Sequence, residues 1–259
     1  MYAVTKKPEM KTTLHSEPEL QIGHGLAPNT RLRDLGSRRR FIRRLGLGAA
    51  FFTTPGLFAE ELSRKTITKT AAVEEGPFYP PRLPLDTDND LIIVNDSLTP
   101  AIGQIAHVSG RVLDARGDPL RNATVEIWSV DSEGVYLADR PRHQRFDAHF
   151  QGFGRFLTGF SGEYYFRTLT PLAYSGRPAA HIHFKLKLKG RGDWTTQLFI
   201  KGHPGNEQDG IYRRIGDAAA RSSVTMDFVP LKGSRIGEVG ALFDIILDVT
   251  PQDEHSGTR

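Results

Sequence analysis

The stretch His181-Ile-His-Phe-Lys-Leu-Lys-Leu-Lys189 alternates between two classes of residue. Apolar side chains take every second position, and histidine or lysine takes the positions between them. This period of two is typical of a half-buried β-strand. Residues two apart on a strand leave the same face, roughly 6.5–7 Å apart at Cα. The imidazoles of His181 and His183 are therefore expected to be close enough for their Nε2 atoms to converge on one metal ion.

A His-x-His pair on a strand does not by itself indicate a metal site, because such histidines are more often surface residues or hydrogen-bonded core residues. The neighbouring sequence adds a phenol, Tyr174, seven residues before His181, and a guanidinium, Arg177, four residues before it. This combination is unusual for a core and typical of a functional site.

Short segments of strand composition recur through the chain about every ten residues. The first two are predicted to form a hairpin around a turn at 115–119, and one short helix is predicted around 211–221. This pattern predicts the all-β class, a β-sandwich with long loops and little helix. Residues 65–259 are predicted to form this one domain. The predicted strands are 106–114, 123–128, 152–158, 161–168, 181–188, 194–200, 223–229 and 241–249.

The overall charge of +4 is unevenly distributed along the 259 residues. Residues 1–64 hold 11 Lys or Arg against 6 Asp or Glu, which leaves 23 against 24 for residues 65–259. The folded part is thus nearly neutral and has no basic footprint for nucleic acid. No run of roughly 20 apolar residues predicts a stable membrane span. There are no cysteines, so His, Tyr, Asp and Glu remain as metal ligands.

Residues 1–64 are predicted to be a disordered leader that carries an export signal. Ser37-Arg-Arg-Arg-Phe-Ile42 precedes the apolar segment 45–59, and this order resembles a twin-arginine signal. The resemblance implies a bacterial protein that is exported already folded, to the periplasm or the outside of the cell. Leu57-Phe-Ala59 is a poor cleavage site, so cleavage of the leader is left open. The alternative is a basic arm that binds nucleic acid or lipid.

Four residues stand out as potential metal ligands: Tyr136, Tyr174, His181 and His183. A phenol has a pKa near 10, so only a strongly acidic metal ion holds it deprotonated at neutral pH. Zinc prefers thiolate, imidazole or carboxylate, and Fe(II) oxygenases commonly use two histidines and one carboxylate. Two phenolates with two imidazoles therefore favour a trivalent ion, of which Fe(III) is the common biological example.

Several motifs together resemble the intradiol ring-cleavage dioxygenases, the family of protocatechuate 3,4-dioxygenase and catechol 1,2-dioxygenase. The resemblance covers nearly all of residues 70–250. It implies an Fe(III) enzyme that cleaves a catechol-type ring between its two hydroxylated carbons with O2 and gives a muconate-type product. The motifs are Glu75-Gly-Pro-Phe-Tyr-Pro80, Val108-Ser-Gly-Arg-Val-Leu-Asp114, Val125-Glu-Ile-Trp128, Gly134-Val-Tyr136, Gly152-Phe-Gly-Arg155, Thr168-Leu-Thr-Pro-Leu-Ala-Tyr174, His181-Ile-His-Phe184 and Thr196-Gln197.

The same resemblance implies roles for individual residues. Tyr174 and His183 would be axial iron ligands, and Tyr136 and His181 equatorial ones. Tyr174 would also act as a base toward the substrate. Two further catalytic residues are implied: Arg177 would stabilise developing negative charge, and Gln197 would orient Arg177. Pro77, Phe78 and Arg177 would bind the substrate.

Three alternatives stay open at these positions. The family pattern has one residue fewer between the arginine and the first histidine than Arg177-Pro-Ala-Ala-His181, so Arg177 could instead be a surface loop charge. Tyr164 and Tyr165 compete with Tyr174 as the second phenol. Pro77 and Phe78 could form a structural wall instead of binding the substrate.

A different class of function is a non-catalytic, transthyretin-like sandwich module that binds a carbohydrate or a protein. The predicted hairpin at 106–128 supports this alternative, and the tyrosine and histidine positions oppose it. The sequence leaves open which catechol is the substrate and whether the protein forms a homo-oligomer.

Overall fold

The computed structural model describes residues 67–140 and 145–248. The predicted leader, residues 1–64, lies outside these residues, and with it the predicted export signal at 37–42. Within the described ranges, no helix is long and apolar enough to cross a membrane.

Strands dominate the described residues, and the prediction of an all-β sandwich with little helix is confirmed. Only two short α-helices, α1 (Gly210–Arg214) and α2 (Ala218–Ser222), and two 3-10 turns, Leu137–Asp139 and Asn206–Gln208, accompany them. The strands are β1 (Ile105–Asp114), β2 (Thr124–Trp128), β3 (Phe153–Leu157), β4 (Glu163–Leu169), β5 (His181–Lys187), β6 (Trp194–Ile200), β7 (Thr225–Met226), β8 (Val229–Pro230), β9 (Val239–Leu242) and β10 (Ile245–Leu247).

The strands form two five-stranded sheets. One has the order β3-β2-β5-β6-β7, and the other has the order β10-β1-β9-β8, with β4 also paired to β1. Apolar side chains of both sheets meet in a shared core, to which Val108 and Phe166 contribute from one sheet and Ile127 and Phe184 from the other. This core arises because each strand alternates between apolar and polar positions.

The predicted hairpin between β1 and β2 is wrong, because these strands belong to different sheets. The turn itself forms: the Asp114 carboxylate accepts the backbone N–H groups of Arg116 and Asp118. The chain then pairs back on β1 only briefly, with Leu120 donating to the carbonyl of Val112. Beyond that point it crosses to the opposite sheet, where β2 pairs with β3 and β5.

The predicted C-terminal strand 241–249 is divided into β9 and β10. The division lies at Phe243 and Asp244, where the Asp244 carboxylate accepts the backbone N–H of Arg111. Gly110 lets the Phe243 carbonyl approach β1 closely, since a Cβ at this position would overlap that carbonyl. The predicted strand 223–229 is likewise divided, into β7 and β8.

Strand β5 departs from the half-buried pattern, because six of its seven residues are buried. Its histidine-bearing face is covered by the segment 70–80. That segment is held along β6: the N–H of Val73 donates to the carbonyl of Thr195, and the side chain of Thr196 donates to the carbonyl of Ala71. The covered face is where the candidate site lies.

Candidate active site

Strand β5 places His181 and His183 on the covered face. Their Nε2 atoms lie 3.2 Å apart. His183 is flanked by its cross-strand partners Trp128 on β2 and Gln197 on β6. All four side chains are buried, so the two imidazoles lie together in an environment largely free of water.

Tyr136 reaches the same point from a turn that follows β2. The carboxylate of buried Asp131 accepts the backbone N–H groups of Glu133 and Val135, and Gly134 adopts a φ of 75°. A positive φ is easily adopted only by glycine, and it reverses the chain here. As a result, the buried Tyr136 side chain is directed at the histidines of β5.

Three potential ligand atoms converge at this point. The Tyr136 hydroxyl lies 3.2 Å from Nε2 of His181 and 3.0 Å from Nε2 of His183. Atoms that bind one ion at about 2 Å, at right angles to each other, lie about 3 Å apart. Within 67–140 and 145–248, no three His, Cys, Asp or Glu side chains are grouped so that they could hold a metal ion, so a metal site here needs the phenol oxygens.

Tyr174 joins this group from the turn that precedes β5. Its ring packs edge-on against Tyr136, with centroids 5.3 Å apart, and lies 5.8 Å from the His181 ring. The phenol of Tyr174 lies near enough to the Arg177 guanidinium for that charge to act on it. The turn is closed by reciprocal backbone hydrogen bonds between Tyr174 and Arg177, of 3.1 and 2.9 Å.

The two competing phenols lie elsewhere. Tyr164 is buried in the core between the sheets, where its hydroxyl donates to the Phe243 carbonyl. Tyr165 lies on the other sheet, with its hydroxyl 2.6 Å from Nδ1 of His107. The structure therefore places Tyr174, and neither of these phenols, beside Tyr136 and His181.

Burial controls protonation in the cluster. Burial, with the charge of Arg177, lowers the pKa of His181 to about 4. Burial, with His181 and Arg177, places the pKa of His183 well below its usual range. Burial also raises the pKa of Tyr136 and of Tyr174. At neutral pH the imidazoles are thus neutral donors, and the phenols ionise only next to a strongly positive ion. This donor set fits a trivalent metal.

The surroundings of each histidine fix its ring. Nδ1 of His181 donates a hydrogen bond to the Ala179 carbonyl at 2.7 Å, which leaves Nε2 as the atom with the free lone pair. The His183 ring stacks on the Trp128 indole, with centroids 4.8 Å apart and planes 9° apart. Both Nε2 atoms are thereby held toward Tyr136.

Arg177 lies beside the cluster in spite of the additional residue before His181. Its Nη2 donates to the Gln197 side-chain oxygen at 2.9 Å, and its Nε donates to Asp209 at 2.7 Å. The Gln197 amide nitrogen donates to the Glu74 carbonyl. The interpretation of Arg177 as a surface loop charge is wrong, because its side chain is only 12% exposed and is held by these bonds.

Phe78 is part of the site, whereas Pro77 is more peripheral. The Phe78 ring stacks on Tyr136 with centroids 4.5 Å apart, and it approaches Tyr174 edge-on. The backbone at Gly76 passes over His183. Pro77 is exposed, next to these residues in the covering segment.

A buried carboxylate that the sequence did not point to anchors this segment. Glu126 on β2 accepts hydrogen bonds from the Tyr79 hydroxyl at 2.8 Å and from Arg155 at 2.7 Å, and it pairs with Lys187 at 3.0 Å. Tyr79 also packs edge-on against Trp128. The residue after Phe78 is thus tied to β2, and this tie holds the covering segment over the histidines.

Comparison with known proteins places the site in a family. The dioxygenase family profile matches residues 74–248, more than half of the chain. The chain belongs to the intradiol ring-cleavage dioxygenase family. The family resemblance of the sequence motifs is therefore confirmed, and the dioxygenase match does not support the transthyretin-like binding module.

Relatives with known activities include enzymes of three substrate types. The chain is 34% identical to the protocatechuate 3,4-dioxygenase beta chain of Burkholderia cepacia, over 59% of this chain and 69% of that protein. It is 27% identical to a catechol 1,2-dioxygenase of Acinetobacter baylyi, over 71% of this chain and 61% of that protein. A hydroxyquinol 1,2-dioxygenase of Corynebacterium glutamicum is 30% identical, over 52% of this chain and 47% of that protein. The chain thus spans between 47% and 69% of the length of these relatives.

Solved structures support the same fold. The dioxygenase domain of a dioxygenase and carbohydrate-binding protein fusion from Streptomyces sp. SirexAA-E superposes with a TM-score of 0.54 at 28% identity. The alignment covers 70% of this chain and 99% of that domain.

The Glu126 anchor predicts a pH-dependent loss of stability in Glu126→Gln. Burial would raise the pKa of this carboxyl, but bonds from Arg155, Lys187 and Tyr79 hold it below its ordinary value. Its stabilising effect is therefore present above the ordinary glutamate pKa of about 4.3 and is lost as the pH falls through the lowered value. We expect the free energy of unfolding to fall by about 1–3 kcal/mol at pH 7, since two of the partners reach solvent.

Urea unfolding followed by tryptophan fluorescence measures this change at pH 7 and at acidic pH. Glu133→Gln is the matched control, because Glu133 is exposed. Equal stability of the two variants at pH 7 would contradict the anchor. So would a difference between them that grows as the pH falls.

Proposed function

We propose that this protein cleaves the ring of a catechol-type substrate between the two hydroxylated carbons, with O2, to give a muconate-type product. We further propose that Fe(III) is its cofactor, held by Tyr136, Tyr174, His181 and His183. The observation that carries the proposal is the convergence of the Tyr136 hydroxyl and the two histidine Nε2 atoms within 3.0–3.2 Å of each other.

Ferric iron would supply a Lewis acid that binds and activates the diol. The chain contributes two neutral imidazoles, because burial holds the pKa of His181 at about 4 and that of His183 well below its usual range. It also contributes phenol oxygens, which an adjacent trivalent ion can ionise. Two neutral imidazoles and two phenols that can become phenolates therefore suit an ion with a charge of three.

Tyr174 is suited to accept a proton from the substrate. It is the least buried of the four proposed ligands, and it lies on the short turn that ends at Arg177 rather than on a strand. Burial raises the pKa of Tyr174 and the nearby Arg177 charge acts in the opposite direction, so its phenol becomes a phenolate base only beside a strongly positive ion. We propose that the Tyr174 oxygen takes the proton of one substrate hydroxyl as the diol binds.

Arg177 is suited to stabilise negative charge that develops on the substrate. A cation that is already oriented, in a site with little water, stabilises such charge without reorganising. Asp209 and Gln197 fix the Arg177 side chain, and Gln197 is itself held by the Glu74 carbonyl. Phe78, stacked on Tyr136, supplies an aromatic wall for a flat ring, with the exposed Pro77 at the rim.

Oxygen uptake with a panel of diols tests the reaction. Iron-loaded protein is expected to consume O2 with at least one of catechol, protocatechuate and hydroxyquinol, the substrates in the names of its relatives. Product analysis should give the acid formed by cleavage between the hydroxylated carbons. A product from cleavage beside the diol, or colourless protein that binds no iron, would contradict the proposal.

Tyr136→Phe tests the ligand set. Because a phenylalanine ring has no oxygen donor, we expect iron affinity to fall at least about tenfold and the visible tyrosinate absorption to weaken. Iron analysis and absorption spectra measure both effects. Tyr165→Phe is the control, since its phenol lies on the other sheet and should leave iron and colour unchanged. Full iron content, unchanged colour and normal turnover in Tyr136→Phe would remove it from the ligand set.

We also propose that the protein is exported by the twin-arginine route, from the resemblance of Ser37–Ile42 to that signal. Replacing Arg38 and Arg39 by lysine should retain the protein in the cytoplasm of a bacterial host that has this route, as judged by fractionation and immunoblotting. Lysines in place of Arg43 and Arg44 are the control and should leave export intact. Equal export of both double variants would refute the route.

A further inference from the structure

Asp209 is a buried carboxylate that lies outside the sequence motifs, and the proposed mechanism names it only as a partner of Arg177. It follows the 3-10 turn Asn206–Gln208 and caps α1. Its Oδ1 accepts the backbone N–H groups of Ile211 at 2.9 Å and Tyr212 at 3.0 Å. These two bonds fix the carboxylate against the start of the helix and leave Oδ2 directed at the loop before β5.

The Oδ2 atom contacts two groups of that loop. It accepts a hydrogen bond from Nε of Arg177 at 2.7 Å and a longer one, of 3.4 Å, from the N–H of Ala179. The Ala179 carbonyl in turn accepts the Nδ1 hydrogen bond of His181. One carboxylate is therefore connected to Arg177 and, through the backbone of the single residue Ala179, to a proposed metal ligand.

The loop that carries Asp209 also supports the backbone between Arg177 and His181, where this chain has one residue more than the family pattern. Gly205 packs directly against the Pro178 carbonyl, and a Cβ at Gly205 would overlap it and press on the Ala179 N–H. The backbone of residues 178–179 thus rests on residues 205–209. The position of the backbone next to Arg177 therefore depends on this contact and not only on the number of residues before His181.

We propose that Asp209 is a positioning residue that orients Arg177 toward the substrate and steadies His181 through Ala179. This inference rests on the proposed function. It assigns Asp209 no contact with the substrate or the metal. Its effect is to hold the Arg177 guanidinium in one orientation, so that Nη2 meets Gln197 and the charge faces the tyrosine and histidine cluster.

A purely structural role as a helix cap is the competing explanation, and the chain offers a matched control. Asp217 caps α2 in the same way, with its side chain accepting the N–H of Ala220 at 2.9 Å. It is exposed, and no contact with the site residues is found for it among the described hydrogen bonds and ion pairs. Because asparagine caps a helix about as well as aspartate, a role as a cap alone predicts that Asp209→Asn and Asp217→Asn both have little effect.

The kinetic test uses full-length, iron-loaded protein and the best substrate of the diol panel. We expect Asp209→Asn to lower kcat about 10- to 100-fold, because a small misplacement of an oriented group has an effect of this size. Asp217→Asn should stay within about twofold of the parent protein. Equal kinetics of the two variants would show that Asp209 acts only as a cap.

Chemical rescue separates orientation of Arg177 from general damage. In Arg177→Ala, added guanidinium chloride at low millimolar concentration should restore part of the lost turnover, since Asp209 still offers its carboxylate. The double variant Arg177→Ala, Asp209→Asn should show no such rescue. Equal rescue in both variants would overturn the proposal, because the guanidinium would then bind without Asp209.

A measurement without iron or turnover distinguishes failure of this inference from failure of the proposed function. In iron-free protein, the Nε–H resonance of Arg177, assigned with Arg177→Lys, should be sharp and protected from exchange. It should broaden or vanish in Asp209→Asn and persist in Asp217→Asn. Persistence in Asp209→Asn refutes the positioning role. An inactive parent protein with the expected Arg177 signal refutes the reaction and leaves the Asp209 contact established.

Discussion

The covering of one sheet face by the segment 70–80 is the constraint on which the rest of the structure depends. Imidazoles and phenols can form a low-dielectric cluster only if water is kept from them, and a single open sheet face does not exclude water. The segment is therefore bonded along β6 through its backbone and tied to β2 by Tyr79 and Glu126. The neutral state of the histidines follows from their burial under this cover. The cover also holds Gln197, a partner of Arg177, through the Glu74 carbonyl.

Much of the fold could be predicted, because the period-two pattern depends only on which side chains face the core. The limits of β1, β2 and β6 agree with the predicted strands to within one residue. That β1 and β2 belong to different sheets could not be predicted from that pattern. An apolar stripe fits either sheet of a sandwich equally well, and the choice depends on partners distant in sequence, such as β4 and β5.

Part of the candidate site could likewise be predicted from the sequence, and part could not. Residues with distinctive chemistry, such as Tyr136 and His181, could be named from their types and motifs, and the structure brings them together. Glu126 and Asp209 could not be named. Glutamate in an alternating strand indicates a solvent-facing position, and Asp-Gly at the end of a polar loop indicates a turn. Their importance depends on burial, which is a property of the packed segments above them.

The additional residue between Arg177 and His181 shows why spacing along the chain is a weak guide to a side chain outside regular structure. In a strand, one inserted residue would turn every later side chain to the opposite face. Here the insertion precedes β5, in a loop whose ends are fixed independently, by the turn that starts at Tyr174 and by the pairing of His181 with Phe199. The loop can then lengthen without moving either end. The guanidinium keeps its place because Asp209 and Gln197, on other elements, determine where it lies.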